Sequence, residues 1–216
     1  MMKKVLIALL LATFIQLPMS YASVEQKELK EINLSISYPL IYLNNAESQD
    51  RINSDIASFV YNMKNEYDSG GYYSAYMKNE ITYEDNDVIS IVLHNYTVRS
   101  PGAAHGFSWD TGLVYSKLTG ERIPLSNYVN INSPEQLQRN LLDGVLSAHS
   151  ADMKRNYFFR DDSWAVKKVS NNYILGGNGI IYLLYAPYNI GPYSAGTIRV
   201  KFTPQAIDYF KRTYNS

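Results

Sequence analysis

The chain has 216 residues, with 20 basic and 20 acidic side chains, no cysteine, and 20 tyrosines beside 7 phenylalanines and 2 tryptophans. Balanced charge excludes the basic face that nucleic acid or anionic lipid would need. The absence of cysteine excludes disulfides, thiol chemistry and Cys-ligated metal, so a core alone must stabilise the domain.

Met1-Met2-Lys3-Lys4 forms a short positive start, an apolar run follows from Val5 to Leu17, and Ser20-Tyr21-Ala22 offers small residues at a cleavage site. This order predicts a secretory leader over residues 1–22, because an apolar run of about 13 residues is short of the roughly 20 that cross a bilayer. Loss of Lys3 and Lys4 with the leader leaves 18 basic against 20 acidic side chains, a net charge of −2. The expected location is periplasmic or extracellular, of bacterial type, with no membrane span after cleavage.

Residues 23–31 are polar and charged and read as a mobile lead-in. Partial alternation over 32–43 predicts a first strand. Asn44 with Glu47 reads as a capping box, opening a helix whose stripe is Ile52, Ile56, Phe59, Val60 and Met63 and which ends before Gly70-Gly71. A strand over 72–83 and a turn at Asp85-Asn86-Asp87 follow. Residues 88–99 are apolar on both faces, the pattern of a central strand covered on both sides. Ser100-Pro101-Gly102 breaks it.

A strand over 107–115 is closed by the turn at 117–120, and 122–129 is extended. Ser133-Pro134 starts a second helix with the stripe Leu137, Leu141, Leu142, Val145 and Leu146. Helical or irregular chain continues to about Trp164, which places His149 near a helix end. Residues 172–175 and 180–185 form a hairpin around Gly176-Gly177-Asn178-Gly179, where Asn-Gly supports positive φ. A last strand spans 197–202, and Thr203-Pro204 opens a short C-terminal helix. The class is α+β: a mainly antiparallel sheet with two longer amphipathic helices and a short C-terminal one. An N-terminal part, 32–100, and a C-terminal part, 101–214, pack as one unit with a seam near 100–106.

The three histidines, His94, His105 and His149, have no metal-ligand spacing, and no metal or other cofactor is expected. His105 lies in the Gly-flanked loop Pro101-Gly102-Ala103-Ala104-His105-Gly106, followed by Ser108 and Asp110. A Ser/His/Asp set needs mutual reach, yet His105 and Asp110 differ by an odd number and a regular strand sends them to opposite faces. The acids Glu84, Asp85, Asp87, Asp161 and Asp162 sit in predicted turns. The densest unusual segment is residues 185–196, with Tyr185, Tyr188, Tyr193, two prolines and two glycines. It reads either as a stiff loop presenting aromatics to a partner or as a plug over the sheet end. The candidate contact residues are Tyr185, Tyr188, Asn189, Tyr193, His105 and Trp109.

Two segments together carry a resemblance. Ser100 through Gly106, followed by a strand and Lys117-Leu118-Thr119-Gly120-Glu121-Arg122-Ile123-Pro124-Leu125, resembles a stretch of RsiV-like extracytoplasmic domains. Gly179 through Gly196 resembles a later stretch of the same family. Such domains form the outer part of RsiV-type anti-sigma factors, and a similar region precedes the catalytic domain of PdaC-type peptidoglycan deacetylases. Ala103 stands where the family has a second glycine, and Asn189 where it has its usual glutamate. The resemblance implies an α+β fold and a non-catalytic role outside the membrane. The partner expected from it is a protein or glycan of the cell envelope, either a lysozyme-like hydrolase or peptidoglycan. The alternative is a hydrolase of envelope polymers with His105 and Asp110 or Glu121 in its site.

Overall fold

The computed structural model describes residues 22–153, 156–157 and 164–214. The predicted leader, Ala22 apart, and Asp161 and Asp162 lie outside the described residues. No described helix is long and apolar enough to cross a membrane.

The first sheet has the order β1-β2-β3-β4-β5. Its strands are β1 (Ser23–Glu31), β2 (Leu34–Tyr42), β3 (Ser74–Glu84), β4 (Val88–Val98) and β5 (Phe107–Ser116). Helix α1 (Ala46–Asp68) crosses from β2 to its parallel neighbour β3, and the other pairs are antiparallel. The second sheet, entirely antiparallel, has the order β7-β6-β10-β9-β8. Its strands are β6 (Ser147–Ser150), β7 (Asn156–Tyr157), β8 (Tyr173–Leu175), β9 (Ile181–Tyr185) and β10 (Ile198–Phe202). Helices α2 (Pro134–Leu142) and α3 (Pro204–Tyr214) complete the α+β fold expected from the sequence.

Several local expectations are corrected. Residues 23–31 are not a lead-in: they pair with β2 along their full length. Their polar composition suits an exposed edge strand, where charges deter further pairing, and Lys27–Glu25 and Lys30–Glu28 ion pairs decorate it. The cap of α1 is Asn45, not Asn44; its side chain accepts from the Glu47 and Ser48 amides. Glu47 pairs forward with Arg51 instead of reaching back. Helix α2 stops at Leu142, leaving Leu142 and Val145 exposed and Leu146 buried. Gly144, at φ 73°, turns the chain into β6, so His149 sits on a strand with its ring on Ser147 Oγ. The loop at 100–106 is no seam, because β5 pairs with β4 over ten positions and the first sheet runs on to Ser116.

Ile52, Ile56 and Met63 of α1 bury against Ile89, Ile91, Leu93, Leu113 and Tyr115. Each such side chain contributes roughly 1.5–3 kcal/mol of transfer free energy. The other face of β4 meets the second sheet, where Val92 packs on Ile174 and Leu184. Strand β4 is thus central and covered on both sides, as its two apolar faces predicted. A second core joins Leu137 and Leu141 of α2 to Leu183, Val200 and Phe202, closed by Ile207 and Phe210 of α3.

The two sheets are joined at Gly112. A Cβ there would lie 2.6 Å from the Tyr173 carbonyl carbon, so β8 runs directly over a position that only glycine vacates. The Asn172 side chain clamps the crossing, accepting from the Gly112 amide at 2.6 Å and donating to the Asp110 carbonyl at 2.7 Å. Ser90 Oγ accepts from the Leu175 amide at 3.0 Å. The overlap leaves one end of the first sheet's inner face open.

Candidate functional site

That open end carries tyrosines. The β3–β4 register sets Tyr76 opposite Tyr96, with ring centroids 6.1 Å apart. The loop entering β5 passes beneath Tyr96 at Gly106, where a Cβ would fall 2.5 Å from the Tyr96 hydroxyl and 2.6 Å from the Thr97 carbonyl. The Gly106 carbonyl accepts from the Tyr193 hydroxyl at 2.6 Å and from His105 Nδ1 at 2.9 Å. A carbonyl only accepts, so His105 carries its proton on Nδ1. The His105 ring lies 4.1 Å from Tyr193, and Tyr193 lies 5.8 Å from Tyr188. The result is an aromatic strip of two ring pairs, Tyr76–Tyr96 and Tyr193–Tyr188, joined through Gly106, with His105 alongside. Tyr76, Tyr96 and Tyr188 are 40%, 39% and 55% exposed. Desolvation first, then the neighbouring Tyr96 and Tyr188, raise the Tyr193 pKa above that of an ordinary phenol.

The sequence builds the strip's outer half with a stiff turn. The Tyr188 amide donates to the Gly191 carbonyl and the Asn189 amide to the Ala186 carbonyl. Tyr188 sits at φ 69°, a left-handed conformation that costs a non-glycine residue on the order of 1 kcal/mol or more. Pro192 then leads into a single 3-10 turn, Tyr193–Ala195.

The candidate residues divide into four groups. His105, Tyr188 and Tyr193 come together in the strip. Tyr185 does not: it is buried, accepts from the Ser170 amide and donates to the Lys168 carbonyl, both at 3.2 Å. Burial pushes its pKa up to about 12. Trp109 lies on the α1 side of β5, opposite Asn95, with Phe107 6.0 Å away. It shares with His105, Phe107, Tyr72 and Arg99 a hollow of about 560 Å³ around the sheet's end. Asn189 is exposed beside Tyr188, where both line a cleft of about 510 Å³ with Lys167 and Lys168.

A charged cluster adjoins the strip. The β4–β5 register sets His94 opposite Asp110, and His94 Nδ1 donates to the Asp110 carboxylate at 2.8 Å. Arg199 of β10 reaches the other Asp110 oxygen at 3.4 Å, and Glu80 stands 3.7 Å from His94 Nε2. The Asp110 and Arg199 side chains are only 8% and 11% exposed. The Asp110 hydrogen bond is the largest cause of a raised His94 pKa, the charges of Asp110 and Glu80 add to the rise, and burial and Arg199 oppose it. Asp110 is therefore spoken for by His94 and Arg199, not His105, and Glu121 pairs with Arg51 at 3.2 Å. The hydrolytic constellation of His105 with Asp110 or Glu121 is not assembled. Among the described residues no group of three or more His, Asp or Glu is arranged to hold a metal.

Sequence reasoning missed Tyr76, Tyr96 and the pairing of His94 with Asp110. Both depend on which strand lies beside which, and in what register. Tyr76 shares its face of β3 with Lys78 and Glu80, and Tyr96 shares its face of β4 with Ser90 and His94, so neither stands out in the sequence.

No curated protein matches the sequence significantly. A member of the DUF3298 family from Bacteroides fragilis has a similar structure, with a TM-score of 0.61 at 14% identity, covering 88% of this chain and 93% of its own. A DUF3298 family protein from Pseudomonas aeruginosa is similar with a TM-score of 0.55 at 13% identity, over the same shares of the two chains. At such identities the likeness concerns the fold. Residues 122–203, which run from the end of the first sheet through the aromatic loop and β10, match the family model described as protein of unknown function (DUF3298), and the chain shares the fold of two solved DUF3298 proteins.

Proposed function

We propose that this chain is a non-catalytic binding domain, acting outside the cytoplasm, that recognises a cell-envelope partner through the Tyr76–Tyr96–Tyr193–Tyr188 strip. The observation that carries this reading is the strip itself. Two loops far apart in sequence lock together at the Gly106 carbonyl and hold exposed rings in fixed positions. Rigid tyrosines offer large amphipathic contact area at low entropic cost. The nearby charges His94, Asp110 and Arg199 are tied to one another across the two sheets, which suits support of a surface better than bond breaking.

The RsiV-like resemblance of the two loops supports an envelope partner, a lysozyme-like hydrolase or peptidoglycan. The test is titration of the purified protein into a lysozyme clearing assay on a cell-wall suspension, with calorimetry against lysozyme and against peptidoglycan fragments. A heat signal with either, weakened at least about tenfold by Y193A, is the expected result. Unchanged affinity in Y193A and Y188G for every partner detected would reject the strip as the binding surface.

A further inference from the structure

The strip does not end at Tyr188. That residue also lines the 510 Å³ cleft, whose opposite wall is the segment from Lys167 to Asn172. Resting on the assignment of the strip as a binding surface, we propose that the strip and this cleft together take an acidic glycan. Its sugar rings lie along the tyrosines, and a carboxylate enters the cleft between Lys167, Lys168 and Asn189.

Three observations support this. The first is the lining, where Lys167, Lys168, Asn171 and Asn189 supply donors and no carboxylate is present among the lining residues. None of these four side chains has a hydrogen-bond or ion-pair partner among the described residues, so their donors remain for a ligand. A carboxylate satisfies such donors with charge-assisted bonds, roughly twice as strong as neutral ones. The second is rigidity. The Ser170 hydroxyl donates to the Leu184 carbonyl at 2.9 Å, the Leu184 amide donates to the Asn172 carbonyl at 2.8 Å, and Tyr185 pins Lys168 and Ser170 from below. The wall is thus fixed to β9 before any ligand arrives, which lowers the cost of binding. The third is shape. A concave site within the roughly 300–1,000 Å³ of small-ligand pockets suits a sugar unit better than the flat face of a protein partner.

The experiment is calorimetry of the purified protein with two probes of equal length, an oligouronate and an uncharged chitin oligosaccharide, at low and high salt. The oligouronate is expected to bind about tenfold more tightly at low salt, an advantage that shrinks at high salt as screening grows. K167Q/K168Q should erase that advantage and leave the uncharged probe's affinity alone. Both lysines are exposed, and circular dichroism checks the variant's fold. Y193A should weaken both probes. Equal affinities for the two probes, no binding of either, or an advantage that survives K167Q/K168Q overturns the proposal. If neither glycan binds while a protein partner binds and is lost in Y193A, the acidic-glycan assignment falls and the strip stands. If Y193A and Y188G leave every measured affinity unchanged, the strip falls with it.

Discussion

Asp110 holds three elements together through one carboxylate. It is buried on β5, accepts from His94 on β4 and faces Arg199 on β10. Its charge raises the His94 pKa, so an NMR titration should place the His94 midpoint above the ordinary value of about 6.5. Asp110→Asn should bring that midpoint down. A histidine whose folded pKa is raised adds stability that is fully present below the unfolded pKa. That contribution fades as pH rises through the folded value. The stabilising increment from His94 is therefore expected below about pH 6.5 and lost above its raised midpoint. D110N also leaves Arg199 facing a neutral partner in a buried position, which should cost about 3 kcal/mol by urea unfolding. A cost below about 1 kcal/mol would show that water reaches Arg199 freely. Tyr188 is the second residue of note, a bulky side chain kept at positive φ where glycine would rest unstrained. Tyr188→Gly should raise the unfolding free energy by about 1 kcal/mol while removing the ring from the strip, separating backbone strain from contact.

At the scale of elements, the entry to α1 shows how a one-residue shift in a cap follows from tertiary contact. Asn44 and Asn45 have equal intrinsic capping ability. Asn45 takes the role because its amide also donates to the Leu118 carbonyl, and Ser48 Oγ donates to the same oxygen. The turn after β5 thereby fixes where α1 begins. Asn45→Ala should cost about 1 kcal/mol, and Asn44→Ala should stay within a few tenths. Equal losses for the two variants in thermal melts would contradict the cap geometry. Strand β1 illustrates the opposite case. Its alternation is concealed by charge, and only pairing with β2 makes it a strand.

Across the whole molecule, stability depends on the crossing of β8 over Gly112. Gly112→Ala would drive a methyl group into the Tyr173 backbone, which cannot yield as a side chain tip can. The expected loss is about 3 kcal/mol or more. In a Trp164→Phe background, where Trp109 is the single tryptophan, the protein should unfold in one transition, with Trp109 fluorescence reporting the first sheet and far-ultraviolet circular dichroism reporting both. In G112A the two signals should separate, because the Asn172 clamp and the Val92–Ile174–Leu184 contact are displaced together. Coincident signals in G112A would mean that the sheets are coupled elsewhere.

The sequence by itself determined what local periodicity can carry. Apolar residues on both faces of 88–99 marked β4 as central, the stripe from Ile52 to Met63 marked α1, and Ser133-Pro134 marked the start of α2. These patterns reflect burial of neighbours a few residues apart, which a linear string records directly. The aromatic loop was legible as unusual, but its sequence did not separate its tyrosines: Tyr185 is a buried pin, and Tyr188 is exposed. Only the tertiary structure decided which tyrosine took which part. It also decided that Tyr193 reaches Gly106, that Tyr96 lies over that glycine, and that Asp110 belongs to His94. Those contacts depend on strand order and register, which are set by the joint burial of two sheets and leave no periodic trace in the chain.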